Sequence, residues 1–150
     1  GKLPTTLSLT QGVLAFHATP IDDTTYLLDE VVGGRMALAT PQDVETRLGI
    51  ARASLMLCGH SHQSRIAGGP DGTIILNPGS VGCPAYADAG HVSETGSPHA
   101  RYAIATKRAN GTWTADFIVI AYDWQRAAQR ASDNGRPDWA HALMSGYMPR

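Results

Sequence analysis

An α/β domain is what this sequence predicts, on three observations. Short apolar, β-rich runs end abruptly in Gly, His or Asn; helix-start signals stand between them; and turn dipeptides recur at hairpin spacing. The 150 residues, 43% of them hydrophobic, suffice for one core, and a chain of that length buries roughly 70% of its unfolded surface. Neither a repeat nor a linker divides the chain, so one domain spanning residues 1–150 is expected.

Taken in order, the polar opening before Gly12 pairs as an edge strand, and "VLAF", Val13 to Phe16, is a short strand that delivers His17 to a loop closed by Pro20. "IDDTTYLLDEVVG", residues 21–33, has weak helical or loop character. "TPQDVETRLGIA" is a helix: Thr40 caps it, Pro41 fits its first position, and Asp43 and Glu45 suit the positive end of the dipole. Leu55 to Leu57 is a buried strand stopping at Gly59, and "SRIAGGPDGTIILN" is two strands joined by a Gly-Pro-Asp-Gly turn. The stretch Gly79 to Ala100 reads as one long loop of small residues, a candidate either to gate a substrate or to pair subunits in a homo-oligomer. "ARYAIATKRANGTWTADFIVIAYDW" is a hairpin turned at Asn110-Gly111. A helix capped by Asp123 runs to Gly135, and another starts at Pro137.

Charge and composition exclude several classes. A net charge of −1 with no basic tract gives no footprint for nucleic acid or anionic lipid, and no apolar run approaches the roughly 20 residues of a membrane span. Cys58 and Cys83 sit in no paired spacing and read as reduced, partly buried thiols. "GKLPTTLSLTQG" has neither an initiator Met nor an apolar signal core, so a cytoplasmic protein truncated at its start is expected.

The chemistry concentrates at strand ends. In "LMLCGHSHQS", Leu55 to Ser64, an apolar strand empties into His60 and His62, one residue apart, with Gly59 freeing the backbone to turn both rings to one point. Neutral imidazole is the commonest side-chain ligand of divalent transition metals. Two surface histidines on a turn is the competing reading, as a structural histidine is for His17. Yet His17 also lies where a strand meets a loop, and Ile74 to Leu76 empties into Asn77-Pro78-Gly79-Ser80, so three strand ends carry polar groups where α/β proteins hold ligands. His91 and His141 read as surface or helix residues. Tyr102, Trp113, Trp124 and Trp139 read as packing residues.

"FHATP", "CGHSHQ", "LNPGSVGCPAY" and "SPHARYAI" together resemble the last blocks of the calcineurin-like metallophosphoesterases, in particular a small bacterial branch that reads F-H-G-x-P, G-H-T-H and N-P-G-S-V-G. The likeness runs from about Val13 to Ile120. It implies a four-layer α/β/β/α sandwich with a dinuclear centre at the strand ends, where His17 and His60 bind one metal and His62 the other. Two such ions, drawn from manganese, iron, nickel, zinc or magnesium, clamp a phosphomonoester or phosphodiester for in-line attack. Asn77 and Ser80 are then candidates to orient the histidines or meet substrate, His99 stands where relatives place an Arg, and Arg101 is a further substrate or supporting candidate.

The same resemblance exposes a gap. The family's carboxylate ligands and proton donor come from Asp-x-His, Gly-Asp and Gly-Asn-His blocks, and none occurs in these 150 residues. Asp22 and Asp23 follow His17 and cannot replace blocks that precede it. The expectation is a C-terminal portion of a longer phosphoesterase, at most one metal weakly held, and little or no hydrolysis by this chain alone. A degenerate fold serving as a binding scaffold is the alternative.

Overall fold

The three strands whose ends the sequence marks with His17, Gly59 and Asn77 lie side by side and run the same way. In the computed structural model, which describes residues 4–150, β2 (Val13–Phe16), β5 (Leu55–Leu57) and β7 (Ile74–Pro78) pair in parallel, with Ala15 level with Leu57 and Leu57 level with Leu76. Gly1, where the truncated start was expected, lies outside the described residues. Antiparallel strands flank the trio: β1 (Thr6–Thr10) pairs with β2 and β6 (Ser64–Gly68) with β7, giving a five-stranded sheet of order β1-β2-β5-β7-β6.

Period-two alternation divides this sheet's side chains between two cores. Phe16, Met56, Cys58 and Ile75 face one side and pack on Leu27, Leu28 and the buried stripe of α1 (Pro41–Leu48), Val44 and Leu48. Val13, Leu55 and Leu76 face the other and meet Ala103, Ala105, Trp113 and Ala115 of a hairpin formed by β10 (Ala100–Lys107) and β11 (Trp113–Ile120). Fully burying side chains such as Met56 and Ile75, each 0% exposed, contributes about 1.5–3 kcal/mol apiece. A two-stranded ribbon thus covers the face of the sheet turned away from α1.

Two segments depart from the sequence reading. Residues 21–33 are not helical: after an irregular stretch, β3 (Asp29–Val32) turns through Gly33 and Gly34 into β4 (Arg35–Leu38). Both glycines have positive φ, 57° and 76°, as a two-residue hairpin turn demands. Nor is 79–100 one long loop, since β8 (Ala85–Asp88) and β9 (His91–Glu94) form a hairpin inside it, and with β3 and β4 they build a second sheet of order β3-β4-β9-β8.

The helix signals correspond to real caps. The Thr40 hydroxyl accepts from the Asp43 amide at the start of α1, and the Asp123 carboxylate accepts from Arg126 at 2.9 Å at the start of α2 (Trp124–Asp133). α3 (Pro137–Ser145) packs on α2 through Ala128, Ala131 and Leu143 and ends at Gly146, whose left-handed conformation closes the helix. No helix among the described residues is long and apolar enough to cross a membrane.

Candidate metal centre

Because β2, β5 and β7 are parallel and level, their C-terminal ends deliver His17, the Gly59-to-His62 turn and Asn77 to one edge of the sheet. The amide of Gly59 donates to the carbonyl of His17 at 2.8 Å, which stitches the first two ends together. His17 Nε2 lies 3.1 Å from His60 Nδ1, and the two rings are 4.9 Å apart between centroids.

Both motif histidines have left-handed backbone, φ 65° at His60 and φ 60° at His62. For a residue with a side chain that conformation costs roughly 1–2 kcal/mol, and it persists only where the surroundings over-determine it. Those surroundings are a buried polar cluster. Asn77, 1% exposed, donates from Nδ2 to the Gly59 carbonyl at 2.7 Å and to the Ser61 hydroxyl at 3.1 Å, while its Oδ1 accepts from the Gly79 amide at 3.0 Å. The Ser61 carbonyl accepts the Ser93 hydroxyl at 2.7 Å, and Gln63 donates to Ser93 at 2.8 Å.

Each motif ring has one nitrogen tied to a backbone carbonyl: His60 Nε2 to Thr24 at 3.0 Å and His62 Nδ1 to Cys83 at 3.0 Å. A carbonyl only accepts, so those nitrogens carry the hydrogens, and His60 Nδ1 and His62 Nε2 keep their lone pairs. This is how metal-ligating histidines are generally oriented. Partial burial lowers the pKa of His60, against the pull of the Thr24 carbonyl, and the neighbouring His17 adds to the lowering. Burial likewise lowers His62 against the Cys83 carbonyl, with smaller repulsion from His60 and His17. Neutral, lone-pair-bearing imidazoles are the form a cation requires.

The donor chemistry therefore fits a divalent ion at the His17–His60 pair. Two nitrogens each about 2.1 Å from one ion, and at about a right angle, stand about 3 Å apart. The full set is less complete. Among the described residues no group of three or more His, Cys, Asp or Glu side chains is gathered closely enough to hold a metal. The carboxylates whose charges reach His60 are Asp88 and Asp22. Asp22 is committed locally, with Oδ1 accepting from Thr24 and Thr25, which holds its carboxyl down at about 2 and shapes the turn that presents the Thr24 carbonyl to His60.

The other sequence candidates fall into two groups. Ser80 accepts the Cys83 amide at 2.9 Å and so steadies the loop whose carbonyl holds His62, while Asn77 braces the motif turn. Arg101 meets that loop through its amide, which donates to the Ser80 carbonyl at 3.0 Å, while its guanidinium and the His99 ring turn to other partners. His99 packs on Trp124 at 5.1 Å, and the Arg101 guanidinium donates to the carbonyls of His99 at 2.8 Å and Thr95 at 3.3 Å and to the Ser97 hydroxyl at 2.7 Å.

Several supporting residues escaped the sequence reading. Tyr26 stacks on His60 at 4.6 Å, and its hydroxyl lies 2.8 Å from that of Tyr86 and 2.9 Å from His91 Nε2. Tyr86 meets His62 edge-on at 4.9 Å, and burial pushes its phenol pKa up. His91 thus belongs to an aromatic wall behind the imidazoles. Only "HVSE" alternation and Ala89-Gly90 hinted at the hairpin that carries Tyr86 and His91. On the opposite side His17 borders a cavity of about 380 Å³ with apolar walls from Leu57, Leu76, Ala103 and Ala105.

No family model matches the chain, and no curated protein matches it. Among solved structures, a metallophosphoesterase from Sphaerobacter thermophilus is similar over 97% of this chain, with a TM-score of 0.65 and 17% sequence identity. The chain corresponds to 59% of that protein's length. The likeness establishes a metallophosphoesterase-like fold.

Proposed function

We propose that this chain is the histidine-bearing part of a divalent-metal phosphoesterase, in which His17 and His60 hold one ion and His62 offers Nε2 to a second. The single observation that carries this reading is the 3.1 Å approach of His17 Nε2 to His60 Nδ1, with the other His60 nitrogen tied to Thr24. A solved metallophosphoesterase of the same fold supports it. The four-layer sandwich and the substrate class, a phosphomonoester or phosphodiester, belong to the same proposal. When bound, a pair of divalent ions supplies charge neutralisation for in-line displacement at phosphorus. The residues of this chain do the holding: Thr24 and Cys83 carbonyls fix the tautomers, Asn77 fixes the turn, and Tyr26 and Tyr86 pack the rings.

Three imidazoles without a bridging carboxylate hold two cations poorly, so these 150 residues alone bind about one Mn²⁺ loosely and turn over little phosphodiester. Calorimetric titration with Mn²⁺ of the wild-type chain, His17→Ala, His60→Ala and His62→Ala tests this directly. Binding is expected to be lost in the first two variants and kept in the third. Equal affinity in all four proteins would refute the ligand assignment. Hydrolysis of a chromogenic phosphodiester by the chain alone, at a rate typical of enzymes, would refute the dependence on an outside carboxylate.

A scaffold built on a phosphoesterase fold is the second reading, favoured by the absence of a three-ligand group among the described residues. In its metal-free form it predicts no Mn²⁺ uptake by the wild type, and the same titration separates that form from the first reading.

A further inference from the structure

Asp29 opens β3, in the four-stranded sheet rather than the sheet that bears the histidines, and is 1% exposed. Both of its oxygens reach across to the histidine-bearing sheet and its turn. Oδ2 accepts the Ser61 hydroxyl at 2.6 Å, and Oδ1 accepts Arg65 Nε at 2.9 Å. Ser61 stands between His60 and His62, is itself 2% exposed, and is gripped by Asn77 and Ser93 as well. Asp29 and Ser93 come from strands of the same second sheet, so that sheet holds the motif turn from two points.

A buried ion pair is a poor source of net stability, because desolvation offsets most of the attraction and an apolar replacement often serves as well. The Asp29 charge therefore calls for a reason beyond holding two sheets together. Its Oδ2 supplies one, since it holds the hydroxyl of Ser61, the residue that links two residues in left-handed conformation.

We propose that Asp29 is a positioning residue of the metal centre: through the Ser61 hydroxyl it locks the His60–His62 turn, so that His60 Nδ1 and His62 Nε2 are held ready before any cation arrives. This rests on the metal-binding reading above.

Ser61→Ala and Asp29→Asn test it, with Asp116→Asn at an exposed position of β11 as the control. Three quantities are read: Mn²⁺ affinity, the long-range imidazole ¹⁵N–¹H spectrum of the metal-free protein, and Tm. Because the link is the Ser61 hydroxyl, both variants are expected to fold, to bind Mn²⁺ roughly 10–100-fold more weakly, and to lose the single tautomers of His60 and His62, while the control matches the wild type. Folded variants with wild-type affinity and unchanged imidazole signals would overturn the proposal. Should Asp29→Asn fail to fold, Ser61→Ala, which removes one hydroxyl and no charge, decides alone. Should the wild type bind no Mn²⁺, the metal reading fails, and the imidazole spectra of the variants still judge the role of Asp29.

Discussion

At the scale of single residues, burial sets the proton affinity of the motif. His60 and His62 both titrate below the ordinary 6.5 in the folded chain, chiefly because their surroundings are partly dry. Above that pH both folded and unfolded chains are neutral there, and the histidines add no pH dependence. As the pH falls through 6.5 the unfolded chain takes up protons first, so stability declines until the folded-state values are passed. Urea midpoints at pH 7.5 and 5.5 are expected to fall on acidification in the wild type and to fall less in His62→Gln. An equal acid loss in both proteins would show that other groups carry it. That His17, His60 and His62 come to one edge of the sheet was legible because strand-end spacing exposes them in the sequence. Asp29, Tyr26 and Tyr86 were not, because a buried aspartate or a packed tyrosine becomes a supporting group only through partners 32 or 60 positions away, as with Ser61 and Tyr86.

Among the elements, local chemistry decided what could be read. α1 was legible because its cap, its first-turn Pro41 and its buried Val44 and Leu48 all act within one short segment. Thr40→Ala removes the acceptor for the Asp43 amide and is expected to cost about 1 kcal/mol. For a domain of this size that lowers Tm by roughly 2–4 °C in a thermal melt, and an unchanged Tm would mean that Pro41 and packing hold the helix without the cap. The β10–β11 hairpin was legible for the same reason, through Asn110-Gly111. Strands β3 and β4 were missed although Gly33-Gly34 between "DEVV" and "RMAL" is a hairpin signal, because "YLLDEVV" also satisfies a helical spacing. Arg47 of α1 resolves the ambiguity in the fold. Its Nη1 donates to the carbonyls of Tyr26, Leu27 and Asp29 at 3.0–3.2 Å, which holds that stretch out of a helix.

Over the whole molecule, the histidine edge joins two sheets, so a ligand there should stabilise the chain globally. At Mn²⁺ a hundredfold above its Kd, binding to the folded state alone adds about 2.7 kcal/mol, expected as a Tm rise of roughly 5–10 °C that a chelator reverses. A Tm indifferent to saturating Mn²⁺ would show that the cation binds folded and unfolded chains alike. The parallel trio was legible from its apolar runs, whereas the second sheet was hidden inside a stretch that composition marks as loop. Cys58 follows β5 within the α1-facing core, and burial pushes its thiol up to about 12. A disulfide-exchange reagent at mild alkaline pH therefore meets a sulfur that is both shielded and protonated, and modification must await separation of the neighbouring strands, whereas Cys83, only half-buried, reacts ahead of it. The slower of the two labelling phases becomes an internal stopwatch for how often the floor beneath the imidazoles comes apart.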